Sequence, residues 1–181
     1  MKRQGLAAMT AATALLAASA GAADTATIAV PQSLWPQAGQ TLQLSAHATG
    51  VQTYECRPGK DPARLEWVFK APEADLFDAA GKKIGKHYAG PTWESNDGST
   101  VVAEVKARDD GPDLSAIPWL LLSAKAASGN GVFSGTASIQ RVQTVGGKPP
   151  AGGCTQAQAG QELRVPYSAT YNFYTAAPGG R

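Results

Sequence analysis

The chain has 181 residues, 43% of them hydrophobic and 17% charged, which suits one domain and is too weakly charged for a disordered or coiled-coil chain. Its formal net charge of +2 is matched by Lys2 and Arg3 at the extreme N-terminus; without them the balance is zero, so no nucleic-acid partner is implied. Beyond the first 20 positions no apolar run is long enough to cross a bilayer as a helix, so no transmembrane helix is expected in the mature form.

Residues 1–22 read as a secretory signal peptide. Lys2 and Arg3 give the positive start, Leu6 to Ala20 is a short apolar run, and Ala18-Ser19-Ala20 and Ala20-Gly21-Ala22 fit the small-x-small cleavage pattern. The expectation is an exported protein, periplasmic or secreted, with residues 23–181 forming a single β domain ordered over roughly 28–175. No Cys precedes Cys56, which argues against a lipid-anchored N-terminus, and the C-terminal residues carry no hydrophobic anchor.

Beyond the leader the chain alternates at period two. Leu42, Leu44 and Ala46 share one face, Thr41, Gln43, Ser45 and His47 the other. Leu65, Trp67 and Phe69 alternate with Glu66, Val68 and Lys70. Ala74 to Phe77 reads as a strand running into an Asp78–Gly81 turn, with a single helical turn as the alternative. Val101, Ala103 and Val105 alternate with Val102, Glu104 and Lys106. Ile117 to Ala124 is more continuously apolar, and Pro118 marks a strand start or an edge. Val165, Tyr167, Ala169, Tyr171 and Phe173 form a face expected to be buried, with Tyr174 on the opposite face beside Ser168, Thr170 and Asn172. Turn signals fall between these runs, at Ala80-Gly81, Asn96-Asp97-Gly98, Asp110-Gly111-Pro112, Gly129-Asn130-Gly131 and Gly146-Gly147. The expected fold is all-β, a single-domain antiparallel sandwich or barrel-like fold of eight to ten short strands.

Cys56 and Cys154 are the only cysteines, and in an exported chain they most simply form one disulfide tying an early strand to the Gly/Pro-rich segment 146–153. Gly129-Asn130-Gly131-Val132-Phe133-Ser134-Gly135 is spaced GxGxxxG, and neither an amphipathic helix nor a suitably placed acid follows it. A phosphate cradle needs that helix, so dinucleotide binding is argued against and no cofactor is expected. There is no G-x-S-x-G elbow, no free thiol, and no H-x-H or H-x-x-x-H pair, so no metal site is expected.

The segment densest in chemistry is 84–97. There His87 is a candidate base or ligand with Glu94 as its partner, and Tyr88 and Trp93 offer a stacking wall. Read without chemistry, the same residues are core or rim aromatics, a satisfied histidine and a surface acid. Tyr54 and Tyr174 are further candidate contacts.

Gln52-Thr53-Tyr54-Glu55-Cys56, Trp67 to Ala74, His87-Tyr88-Ala89-Gly90-Pro91-Thr92-Trp93-Glu94, Ile117-Pro118-Trp119-Leu120-Leu121, Ile139-Gln140-Arg141-Val142, Gly146-Gly147 with Cys154, and Val165 to Ala169 form an ordered series. Over roughly 28–175 it resembles a family of secreted proteins of bacteria and fungi, a domain of unknown function. The resemblance implies a secreted single domain with a disulfide between the two cysteines and supplies no catalytic residues. Some relatives carry the label malate dehydrogenase, which the missing dinucleotide loop, the leader and the all-β pattern argue against here.

The favoured reading is a non-enzymatic binding or interaction domain for an extracellular or envelope ligand. A second reading is an enzyme or metal protein centred on His87 and Glu94. A third is a small outer-membrane barrel, since alternating strands are compatible with one.

Overall fold

The computed structural model describes residues 29–176; the expected leader lies outside them. Eight strands follow in order: β1 (Thr41–Pro58), β2 (Leu65–Phe77), β3 (Lys83–Tyr88), β4 (Thr92–Ser95), β5 (Thr100–Asp109), β6 (Trp119–Ser128), β7 (Thr136–Gly146) and β8 (Glu162–Thr175). Each pairs antiparallel with the next, and β8 returns to pair with β1 from Thr41↔Thr175 to Glu55↔Glu162. The sheet therefore closes into a barrel whose walls share one interior. β1 has 18 residues and β8 has 14, longer than the short strands expected, because these two run the length of the closure.

Alternation decides which side chains point inward. Ala46, Ala48, Leu76, Trp93, Val101, Ala103, Leu122, Ile139, Tyr171 and Phe173 form the interior cluster. Large rings face small residues, as the narrow bore of an eight-stranded barrel requires. Gly50 lies in this interior row; a Cβ there would sit 2.0 Å from the Glu73 carbonyl oxygen. Each large apolar side chain so buried contributes about 1.5–3 kcal/mol. The outer face carries charges paired along and across strands, including Lys83–Asp75 at 2.7 Å, Arg164–Glu73 at 2.7 Å and Lys86–Glu94 at 3.1 Å.

The two ends of the barrel differ. At one end the β6–β7 loop folds inward, and Phe133 packs against Phe173 with ring centroids 4.6 Å apart and planes tilted by 36°. Asp97, in the β4–β5 turn, holds that loop: its carboxylate accepts from the Ser99 N–H, the Ser99 hydroxyl and the Val132 N–H. Gly98 takes φ +84°, which the tight turn requires. The glycine-rich 129–135 segment is thus part of this plug.

The opposite end is framed by the β1–β2, β3–β4, β5–β6 and β7–β8 connections. The last of these is tied down by the Cys56–Cys154 disulfide and by the Tyr54 hydroxyl, which donates to the Gly147 carbonyl at 2.6 Å. Outside the barrel wall, residues preceding β1 cover a second small cluster of Leu34, Trp119 and Val142. Gln140 anchors this cover by donating from Nε2 to the Leu34 carbonyl.

Candidate ligand-binding cavity

Above the packed interior, at the end away from the Phe133 plug, the barrel encloses a cavity of about 470 Å³. Its floor is aromatic. The residues facing each other across β3 and β4 are His87 and Trp93, stacked with centroids 4.2 Å apart and planes 12° from parallel. Tyr171 from β8 meets both edge-on, at 5.1 Å and 5.4 Å. Tyr54, Ile117, Leu120 and Leu122 continue the wall. At the mouth stand Phe69 and Val105, 50% and 54% exposed, beside Lys70 and Arg108.

Bulges shape this end. Register shifts by one residue between β1 and β2 beside Lys70, between β5 and β6 beside Lys106, and between β7 and β8 beside Gln143, whose φ is +52°. Each inserts a residue that breaks the two-residue alternation and bends the strand, as bulges at barrel rims do. One consequence is that both Val105 and Arg108 reach the cavity although they are an odd number of positions apart.

The polar groups of the interior are unevenly served. His87 is 3% exposed, and its Nδ1 lies 2.9 Å from the Thr92 carbonyl. A carbonyl only accepts, so Nδ1 carries the proton and Nε2 the lone pair. Burial holds the ring's pKa down at about 3, against a partly offsetting bond to Thr92, so it is neutral at pH 7. Burial also pushes the Tyr54 hydroxyl up. The Trp93 indole N–H and the Gln52 Nε2 amide are buried with no hydrogen-bond partner. Arg141, inward on β7, donates from Nε and Nη2 to the Pro118 carbonyl at 3.1 and 2.8 Å.

The expected site residues divide between the two faces of the wall. His87, Trp93 and Tyr54 meet at the cavity. Glu94 and Tyr88 do not join them: Glu94 pairs with Lys86 in the register, and one position along a strand reverses the face. Outside, the Tyr88 hydroxyl donates to Glu94 at 2.8 Å, which raises the Tyr88 pKa and, with Lys86, keeps the Glu94 carboxyl below its usual range. His87 and Glu94 thus have the wall between them. Tyr174 is half-buried on the outer face, 3.5 Å from the Gln140 side-chain oxygen. Among the described residues no group of three His, Cys, Asp or Glu side chains gathers into a metal-binding cluster.

Sequence reasoning missed Arg141, Arg108, Gln52 and Phe69 as cavity residues. A signal existed for Arg141: it shares a strand face with Ile139, so a charge sits on a row that should be core. Nothing comparable marks Arg108, whose placement depends on the bulge.

No helix among the described residues is long and apolar enough to cross a membrane. No curated protein and no solved structure matches the chain. Residues 36–175 match the model of a family described as protein of unknown function (DUF3455), a span that takes in all eight strands and the whole cavity wall, and the chain therefore belongs to that family.

Proposed function

We propose that this protein is an exported, non-enzymatic binding protein that takes a small, largely apolar molecule into the open end of its barrel. The cavity carries this reading: about 470 Å³ of space, walled by aromatic and aliphatic side chains, in a barrel otherwise filled by its own side chains. Its size falls in the ordinary range for small-molecule sites, and eight-stranded barrels have the bore to hold one such ligand. The apolar rim of Phe69 and Val105 supports entry of an apolar body.

Export is supported by the leader-like residues 1–22 and by a disulfide, which persists in oxidising compartments. The wall between His87 and Glu94 weighs against an acid–base pair made of them. The charged, ion-paired outer face weighs against a lipid-facing barrel, which would carry an apolar band there.

The test is titration of the purified protein with the neutral fluorophore N-phenyl-1-naphthylamine. Saturable enhancement and a blue shift are expected, with Trp93 fluorescence quenched in parallel. Leu120→Trp, which fills the cavity from its wall, should abolish the signal while retaining the β-sheet circular dichroism. No saturable signal, or one indifferent to Leu120→Trp, would remove the cavity as the site.

A further inference from the structure

Two fully buried polar atoms of residues lining the cavity lack any partner, and both are donors. Trp93 Nε1 and Gln52 Nε2 are donors, each buried without an acceptor. Buried indole and amide N–H groups ordinarily find partners, and leaving one unmade costs more than an average bond gains. Arg141 adds a charge. Its Nε and Nη2 are held by Pro118, which leaves the Nη1 end of the fork uncommitted. No ion pair among the described residues includes it, whereas Lys70 and Arg108 at the mouth are paired with Glu162 and Asp110. The charge is felt inside the barrel, where it partly offsets the rise that burial causes at Tyr54 and adds to the fall that burial causes at His87. No acidic side chain lines the cavity.

A half-buried guanidinium with no counter-ion, lining the same cavity as two donors with no acceptor, is incomplete as a structure. A carboxylate supplies what is missing: it only accepts, it offers two oxygens, and it suits the guanidinium fork. We infer that the cavity is built for an amphipathic organic acid, whose carboxylate is bound by Arg141 with Gln52 or Trp93 donating beside it, and whose apolar body lies on the aromatic and aliphatic wall. This rests on the binding reading above and names the chemistry of its ligand. Arg141 is held in place by the backbone of the β5–β6 connection, so the fork is positioned before a ligand arrives.

The probes are decanoate and 1-decanol, which share a chain and differ in the head group, each displacing N-phenyl-1-naphthylamine at pH 7. Decanoate should displace it at about ten- to hundredfold lower concentration, the worth of a charge-assisted hydrogen bond. Arg141→Gln, which keeps a donor for the Pro118 carbonyl, should bring decanoate to the level of decanol and leave decanol unchanged. Arg164→Gln, on the outer face and paired with Glu73, should leave decanoate's advantage in place.

Equal displacement by the two probes on the unmodified protein would overturn the acid assignment while leaving the cavity a binding site. That comparison needs no variant, so it stands even if Arg141→Gln fails to fold. Retention of the preference in Arg141→Gln, or its loss in Arg164→Gln as well, would overturn the role of Arg141. Failure of the fluorophore to bind at all would overturn the binding function itself, and this inference with it.

Discussion

Lowering the pH from 7 to 4.5 should weaken the barrel through a single ring. His87 is buried against Trp93 and Tyr171, and its folded-state pKa of about 3 lies well below the ordinary 6.5. The unfolded chain therefore binds a proton that the folded chain refuses. Its contribution is complete above the unfolded pKa and declines as the pH falls from 6.5 towards 3. Over the interval from pH 7 to 4.5 the loss comes to about 3 kcal/mol. This window is informative because carboxylates titrate mainly below it, and the only other histidine, His47, is exposed on the outer face. The assay is urea unfolding at both pH values, for the native protein and for His87→Phe, which preserves a ring against Trp93. The native protein should lose most of the 3 kcal/mol and the variant little of it. If both lose the same amount, or if the His87 ring titrates near pH 6 by NMR, the neutral buried imidazole is wrong.

The disulfide closes a loop of sequence separation 98, so Cys56→Ala with Cys154→Ala should cost about 4–5 kcal/mol by denaturant unfolding. A loss under about 1 kcal/mol would refute that chain-entropy estimate for this long loop. Asp97 should prove the latch of the plugged end. Its carboxyl is held down to about 2, first by the Ser99 hydroxyl and then by backbone N–H groups of Val132 and Ser99. Its contribution is therefore complete above the ordinary pKa near 3.8 and disappears as the pH falls through about 2. Asp97→Ala should lower the melting temperature at pH 7 and leave it nearly unchanged at pH 2; equal drops at both would refute the latch.

Much of the wall was legible in the sequence, because a half-buried strand writes its orientation every second residue. The rows from Ala46 and from Tyr167 to Phe173 point inward as their spacing indicates, and the 96–98 and 129–131 turns fall where glycine meets a tight reversal. Leu42 departs from its row: it is 55% exposed, beside a register shift with β8. β3 was obscured because its inward row is Gly85 and His87, which carries no hydrophobic pattern. Its residues therefore looked like a chemical cluster, although alternation sends His87 and Glu94 to opposite faces. Closure of the sheet is set by the pairing of β1 with β8, and no single strand's pattern reveals its neighbours. The cavity was hidden for a related reason, since the bulges at Lys70 and Lys106 and the offset at Gln143 change the parity on which the alternation is read.

The seam between β1 and β8 also sets an order of events in time. It joins residues at the two extremes of the domain, with Thr41 opposite Thr175, so the ring cannot be completed until the last strand is present. Such non-local pairing is slow compared with hairpin formation. The successive hairpins from β1 to β7 can form as neighbours emerge, but until β8 arrives they make an open sheet with two exposed edges. Under the export proposed above, that delay is an advantage: the closed form is inaccessible for as long as the C-terminal strand is withheld.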